Sequence, residues 1–189
     1  MSGRECLLVM DYQAEIVARY DDAGPCVPRV AAVLETARAD GTLVVFVRVG
    51  FRPGYPEVSP RNRAFSSAKA AGRFLLGDAG TEIDSRVAPL AGEPVVTKHR
   101  VGAFWATELE QLLRAQDVER LVLAGIATSG VVLSTIRDAA DRDFDLTVLS
   151  DCCADADPEV HRVLLERVFR RQARVITSAE WIDGHSKRE

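Results

Sequence analysis

Short apolar runs alternate with segments of helical period along this chain. Six of the runs have the length of a β-strand and are apolar at almost every position: residues 6–10, 43–49, 95–97, 121–124, 146–149 and, more weakly, 174–176. Strands that are covered on both faces have this continuous character, and strands that alternate with helices form parallel sheets. The pattern therefore predicts an α/β protein in which helices cover both faces of a parallel sheet.

Between these runs, apolar residues recur at spacings of three and four, as they do on the buried face of a helix. Three helices are predicted, at residues 27–39, 107–115 and 158–169. Gly41 follows the first and can adopt the left-handed conformation that ends a helix, whereas Asp157 precedes the third as a capping residue. A fourth helix at residues 129–140 is rich in β-branched residues and is placed mainly by the strands on either side of it.

Residues 50–80 interrupt this alternation. They hold three prolines and several glycines, together with a cluster of basic residues. Loops of this length are uncommon inside a compact domain and often carry function. We expect one long excursion of the chain above the sheet, with a short helix near residues 66–71; a mobile surface loop is the alternative. The whole chain indicates a single domain over residues 1–189, with a frayed polar tail at 184–189.

The composition changes this picture mainly by exclusion. The 189 residues are 47% hydrophobic and 28% charged, which is typical of one soluble domain, and the net charge of −4 argues against a nucleic-acid partner. No apolar run approaches the roughly 20 residues that cross a bilayer, and no apolar signal segment precedes the first strand. We therefore expect a cytoplasmic protein that binds neither nucleic acid nor membrane.

Polar residues follow several of the predicted strands at their carboxyl ends, which is where open parallel sheets bind ligands. Asp11 follows the first strand directly, and Lys98 follows the third. A carboxylate and an ammonium that meet at this edge could transfer a proton or hold a thiol as a thiolate. An ion pair that only fixes two loops is the alternative.

Three segments of the chain are similar to those of a known family. They are LLVMDYQ at residues 7–13, KHRVGAFWATEL at 98–109 and GIATSGVVLSTIRDA at 125–139. On these segments the chain resembles the isochorismatase-like hydrolases, also called the cysteine hydrolase superfamily, from about residue 6 to residue 176. The resemblance implies a three-layer α/β/α, Rossmann-like fold with a six-stranded parallel sheet. It also implies hydrolysis of a small amide or a vinyl ether, and assembly as a homodimer or larger homo-oligomer.

The cysteine branch of this family uses an aspartate, a lysine and a cysteine. By resemblance, Asp11 is the general acid and base, and Lys98 lowers the pKa of the nucleophile and orients the aspartate. The cysteine position holds Val131, whose methyl groups cannot attack a carbonyl; isochorismatases usually have glycine there. We therefore expect Asp/Lys acid–base chemistry without a cysteine nucleophile. A catalytically silent member that binds a ligand or serves as an assembly subunit is the alternative.

Further residues beside the strand ends and in the family segments are predicted to line the substrate pocket: Gln13, Arg48, Phe104, Thr128 and Ser129. Two residues near this edge carry groups that could substitute as the nucleophile. They are Ser129, at the start of the fourth helix, and Cys153, near the end of the fifth strand. A hydroxyl at a helix start more often caps the helix, and a thiol at a strand end is more often buried, so neither is favoured.

Basic residues cluster in and beside the excursion of this acidic protein: Arg48, Arg52, Arg61, Arg63 and Arg73. Guanidinium groups bind carboxylates well, so an anionic small molecule is the expected substrate. The four cysteines lack a metal spacing, and the second strand is not followed by the Asp-x-His motif of the nicotinamidase branch, so we expect no metal and no cofactor. Trp105, or Trp181 with Ile182, could supply the aromatic contact of a subunit interface.

Overall fold

Parallel pairing joins all six strands of the sheet. The structure is a computed structural model that describes residues 3–20 and 23–186. Its strands are β1 (Arg4–Met10), β2 (Leu43–Val49), β3 (Val95–Lys98), β4 (Val118–Ile126), β5 (Asp145–Ala154) and β6 (Arg174–Ile176). They stand in the order β3-β2-β1-β4-β5-β6, and every neighbouring pair is parallel. The predicted α/β class with a six-stranded parallel sheet is confirmed.

Seven helices accompany the sheet in the described residues. They are α1 (Ala14–Val17), α2 (Ala23–Ala39), α3 (Arg63–Ala70), α4 (Leu109–Ala115), α5 (Leu133–Ala140), α6 (Pro158–Val163) and α7 (Ser178–Ser186). Shorter helical turns lie at Ser85–Val87, before α5 at Thr128–Val132, and after α6 at Leu164–Val168 and Phe169–Arg171. The four helices predicted between the strands are present, although α2 begins at Ala23 and α4 at Leu109. No helix among the described residues is long and apolar enough to cross a bilayer.

The continuous apolar runs are explained by the two faces of the sheet, each of which is covered. Along β1, Leu7 and Val9 belong to one hydrophobic core, whereas Cys6, Leu8 and Met10 belong to the other. Helix α2 packs into the first core, and α4 and α5 pack into the second. Successive side chains of a strand point to opposite faces, so every position of β1 from Cys6 to Met10 meets an apolar neighbour.

The excursion at residues 50–80 packs onto the carboxyl edge of the sheet. Its four buried aromatic side chains are Phe51, Tyr55, Phe65 and Phe74. The Phe51 N–H donates to the carbonyl oxygen of Phe74 at 2.8 Å, and Phe51 pairs with Leu75 as an isolated bridge. Helix α3 is the short helix that the sequence predicts, but it begins at Arg63 rather than near residue 66. The excursion is therefore a packed cover over the ends of the strands.

The carboxyl-terminal segment is helical rather than frayed. The prediction of a polar tail is wrong for residues 184–186, because α7 continues to Ser186; residues 187–189 lie outside the described part of the chain. The buried His185 lies with Nδ1 2.9 Å from the Trp181 carbonyl oxygen and with Nε2 3.0 Å from Glu5 Oε1. Trp181 itself is buried in the first core, so it is not available as the aromatic of a subunit interface.

His185→Ala tests whether this contact holds α7 on the sheet. Both ring nitrogens face acceptors, and the ring lies 3.8 Å from the Trp181 ring between centroids. We therefore expect the free energy of unfolding to fall by about 1–3 kcal/mol, measured by urea denaturation. Asp183→Ala, an exposed position of the same helix, is the control and should change it by less than about 0.5 kcal/mol. Equal effects of the two substitutions would contradict the prediction.

Candidate active site

An ion pair joins the tips of two strands that are not neighbours in the sheet. Asp11 directly follows β1, Lys98 ends β3, and β2 lies between them. Strands two places apart are separated by about 10 Å, yet Lys98 Nζ lies 2.9 Å from Asp11 Oδ2. The long lysine side chain and the left-handed backbone of Asp11, with φ of 58°, close this gap. Both side chains are buried: 2% of the Lys98 side chain and 8% of the Asp11 side chain are exposed.

The two oxygens of the Asp11 carboxyl group have different surroundings. Oδ2 accepts the contact from Lys98, whose ammonium also donates to the carbonyl oxygen of Arg100 at 3.1 Å. Oδ1 is buried and has no hydrogen-bond partner among the residues that the structure describes. Burial raises the pKa of the Asp11 carboxyl above its ordinary value, although the Lys98 ammonium opposes this effect. Oδ1 is therefore placed to accept or donate a proton.

A cavity of about 370 Å³ opens beside the ion pair at the carboxyl edge of the sheet. The excursion contributes an apolar wall that includes Phe65, Ala68 and Phe74. The segment between β4 and α5 contributes the opposite wall with Ala127, Gly130 and Val131. The polar side chains of the lining are Asp11, Arg19, Tyr20, Ser67, Arg73 and Lys98. A pocket with an apolar lining and a few convergent polar groups is the usual form of a small-molecule site.

Three residues singled out in the sequence meet at this cavity. Asp11 and Lys98 contribute the ion pair, and Val131 lies in the turn that leads into α5. The Val131 side chain is 2% exposed and packs into the second core while it lines the cavity. The cavity wall at this position is therefore a pair of methyl groups.

The five other residues predicted for the pocket do not line this cavity: Gln13, Arg48, Phe104, Thr128 and Ser129. Gln13 is buried and fastens the end of β1 to its surroundings. Its amide nitrogen donates to the carbonyl oxygens of Val49 at 2.8 Å and Thr81 at 2.7 Å. Its amide oxygen accepts the Val49 N–H at 2.8 Å. The amide nitrogen and the amide oxygen of Gln13 are thus both hydrogen-bonded within the protein.

Arg48 and Phe104 point away from the cavity. The guanidinium of Arg48 lies 2.6 Å from Glu82 and also donates to the hydroxyl of Thr97. Phe104 is buried in the second core, where it stacks on Phe144 with 6.0 Å between ring centroids. The structure therefore gives Arg48 a partner in an ion pair and Phe104 a place in the core.

Thr128 and Ser129 anchor the turn to the end of β5 rather than facing the cavity. The Thr128 hydroxyl donates to the carbonyl oxygen of Ala154 at 3.1 Å and lies 2.8 Å from His161 Nδ1. The Ser129 N–H donates to Asp155 Oδ2 at 2.6 Å, and the Ser129 side chain is exposed. Both residues hold the backbone that carries Val131, and neither side chain joins the lining of the cavity.

The lining also contains polar residues that the sequence did not reveal. Arg19 and Tyr20 follow α1, a helix of four residues that is too short to give a periodic signal. Ser67 lies on α3 within the excursion. For Arg19 and Tyr20, the available indication was their position in the sequence. A short helix that directly follows the tip of β1 keeps the residues after it near the same edge of the sheet. Of the excursion arginines considered from sequence, Arg73 lines the cavity.

The cysteines lie away from the ion pair. All four are buried, and none of them lines the cavity beside Asp11. Burial raises the pKa of Cys153 to about 12 and that of Cys152 further. Cys153 faces a separate pocket of about 210 Å³ between α2 and β5. Among residues 3–20 and 23–186, no group of three or more His, Cys, Asp or Glu side chains is arranged to hold a metal ion.

The sheet order, the covered strand tips and the buried ion pair define a three-layer α/β protein with a small-molecule pocket at the carboxyl edge of its sheet. The chain belongs to the isochorismatase family, because the model of the Isochorismatase domain matches residues 5–180. The resemblance seen in the sequence is thereby confirmed at the level of the family, which is one of hydrolases.

Similar proteins include an amidohydrolase and a protein described as a probable inactive nicotinamidase. The maleamate amidohydrolase of Pseudomonas putida strain KT2440 is 32% identical over 151 residues, which cover 80% of this chain and 70% of that protein. A probable inactive nicotinamidase of Arabidopsis thaliana is 31% identical over 183 residues, which cover 93% of each. A solved cysteine hydrolase from Pseudomonas syringae pv. phaseolicola 1448A has the same fold, with a TM-score of 0.90 at 23% identity over 97% of this chain and 93% of that one.

Lys98→Met tests the coupling of the ion pair. The substitution removes the ammonium that lowers the pKa of Asp11, so we expect the free energy of unfolding at pH 7 to fall by about 3 kcal/mol, measured by urea denaturation. Lys69→Met, at an exposed position of α3, is the matched control. The double variant Asp11→Asn/Lys98→Met leaves no unpaired buried charge, so most of the lost stability should return. Additive losses in the double variant would contradict a coupled buried pair.

Proposed function

We propose that this protein hydrolyses a small anionic molecule through the acid–base chemistry of Asp11 and Lys98, without a cysteine nucleophile. One observation carries the proposal: the buried, unpartnered Oδ1 of Asp11 belongs to a side chain that lines a cavity of about 370 Å³. A buried polar atom without a partner destabilises a protein, and a water molecule or a substrate in the cavity offsets that loss.

The proposed reaction uses each carboxyl oxygen differently. Lys98 holds Oδ2, so Oδ1 is the atom that exchanges the proton. In the ionised state Asp11 takes a proton from a water molecule while the oxygen of that water attacks the carbonyl carbon of the substrate. Asp11 then gives that proton to the leaving nitrogen when the carbon–nitrogen bond breaks. A raised pKa suits both steps, because it brings the proton affinity of the carboxyl closer to neutral pH.

The position of Val131 supports a mechanism in which water attacks directly. Val131 shares the cavity with Asp11 and Lys98. By the resemblance to the family segments, it stands where cysteine hydrolases have their thiol. A valine forms no covalent intermediate. The four cysteines of the chain lie outside the cavity. For Cys152 and Cys153, burial also raises the pKa and so keeps the thiol protonated. Protonation of a vinyl ether by Asp11, followed by attack of water, uses the same groups and is a second possible chemistry of this site.

The expected substrate charge rests on the lining of the cavity and on one relative. Two arginines, Arg19 and Arg73, line the cavity in addition to Lys98. The maleamate amidohydrolase of Pseudomonas putida acts, by its name, on an amide that also carries a carboxylate. Both observations favour a small carboxylate-bearing amide for this chain as well.

A second candidate function is ligand binding without catalysis. Two observations favour it: Val131 at the nucleophile position, and the 31% identity to a protein described as a probable inactive nicotinamidase. The same cavity would then hold a small anion while Asp11 and Lys98 only shape it. Hydrolysis assays of the unaltered protein on a panel of amides, esters and vinyl ethers separate the two functions.

Asp11→Asn tests the proposed role of the carboxylate. An amide side chain cannot take the proton of water, so we expect turnover of the best substrate in the panel to fall by about 10²–10⁴-fold. The measurement is the steady-state rate at saturating substrate, with circular dichroism as the check that the fold is intact. Asp78→Asn is the matched control, because Asp78 is exposed and lies outside the cavity. Unchanged turnover in Asp11→Asn would rule out the proposed mechanism, and no turnover by the unaltered protein would favour the second candidate.

Val131→Cys tests whether this position lies within the influence of Lys98. We expect the new thiol to have a pKa below the ordinary value of about 8.5, measured from the pH dependence of alkylation by iodoacetamide. Val132→Cys is the control, since Val132 is fully buried in the second core and does not line the cavity. A Val131→Cys thiol that titrates at or above the ordinary value would contradict the assignment of this position to the site.

A further inference from the structure

The cavity beside Asp11 continues into an open groove on the protein surface. The groove encloses about 560 Å³ and is lined by Glu15, Ala18, Arg19, Ser67, Ala71 and Arg73. Three of these residues, Arg19, Ser67 and Arg73, also line the inner cavity. The shared residues therefore mark the opening through which the cavity meets solvent.

This opening carries positive charge. Four charged side chains line the inner cavity, and two of them, Asp11 and Lys98, form the buried ion pair. The remaining two are Arg19 and Arg73, which stand at the opening. Glu15 also lines the groove, so the described residues of the opening carry a net positive charge. A concave site with a net charge of one sign attracts ligands of the other sign. The site therefore favours an anionic group at its entrance rather than beside Asp11.

Arg73 is held in place while its guanidinium keeps a free hydrogen-bonding capacity. Its carbonyl oxygen accepts a hydrogen bond from the Tyr55 hydroxyl at 2.8 Å, and its guanidinium lies 4.5 Å above the centre of the Phe74 ring. The nearest approach to Glu15 is 3.8 Å, between Arg73 Nε and Glu15 Oε1, and this Glu15 oxygen is buried without a hydrogen-bond partner. The contact is thus a loose ion pair rather than a hydrogen-bonded one.

Tyr20 lies among these charges. Its side chain lines the cavity together with Arg19, Arg73 and Asp11, and burial raises the pKa of its hydroxyl. The charges of Asp155 and Asp11 add to this increase, whereas those of Arg19 and Arg73 oppose it.

We propose that Arg73 and Arg19 bind the carboxylate of the substrate at the entrance and so determine specificity. This inference rests on the proposed function, because it assigns the reacting amide to the inner end at Asp11. The planar guanidinium of Arg73 offers parallel N–H groups that match the two oxygens of a carboxylate. Glu15 competes with the substrate for Arg73, since both place a carboxylate beside the same guanidinium.

Isothermal titration calorimetry with maleamate and its uncharged counterpart maleamide tests this assignment. The unaltered protein should bind maleamate at least about tenfold more tightly than maleamide, because the charged group makes charge-assisted hydrogen bonds. Arg73→Gln and Arg19→Gln should each remove most of this preference, and the double variant should remove it all. Arg61→Gln is the matched control, because Arg61 is an exposed arginine of the excursion that does not line the cavity.

Two further variants separate recognition from a structural role of Arg73. Arg73→Lys keeps the charge and loses the planar fork, so it should retain part of the preference for maleamate. Glu15→Gln removes the competing carboxylate and should strengthen the binding of maleamate but not of maleamide. Equal affinity for the two ligands in the unaltered protein, including no measurable binding of either, would overturn the proposal. A preference that survives in the double variant would overturn it as well.

The same titrations distinguish this proposal from the hydrolytic one. Asp11→Asn should keep the preference for maleamate, since the entrance arginines are unchanged. If the unaltered protein prefers maleamate and hydrolyses nothing, the entrance assignment stands and the hydrolytic function fails. If it hydrolyses amides with no preference for a carboxylate, the hydrolytic function stands and the entrance assignment fails.

Discussion

The contact between Asp11 and Lys98 is the interaction on which the carboxyl edge of the sheet depends. Removing two charges from water is expensive, and their attraction compensates only when the geometry is good and the remaining polar groups are satisfied. The geometry here is a 2.9 Å contact across an intervening strand. Gln13 supports it by joining the end of β1 to Val49 of β2 through two hydrogen bonds and to Thr81 through a third. The excursion supports it by covering the strand tips with buried aromatic side chains.

The same cover creates the cavity and its asymmetry. Phe65 and Phe74 of the excursion line the cavity, and so does the turn that carries Val131. Water is thereby excluded from most of the carboxyl group, while one oxygen faces no protein donor. In such surroundings a proton-transfer group acts with little solvent screening. The fold therefore leaves a single buried carboxyl oxygen without a protein partner, and this is the atom that the proposed function uses.

The sequence predicted the strands, the main helices and the three residues that meet at the cavity, because each depends on local pattern or on a family segment. It could not predict which way polar side chains at the strand ends point. Gln13 and Thr128 form hydrogen bonds with backbone atoms that lie far away along the chain. Arg19 lines the cavity together with residues of the excursion, which come much later in the sequence. His185 reads as part of a polar tail because its partner Glu5 lies 180 positions away.

If Val131 stands at the nucleophile position, as the resemblance implies, the valine affects the electrostatics of the site as well. A thiolate at that position would add a second negative charge beside a single ammonium, and Lys98 would then stabilise two anions. With Val131 in the wall, the inner cavity keeps one anion and one cation, and the lysine acts on Asp11 alone. Because that pair is neutral as a unit, the net charge that a ligand meets on entry is set by Arg19, Arg73 and Glu15 at the opening. In the proposed function, recognition and proton transfer are thus separated along the length of one pocket.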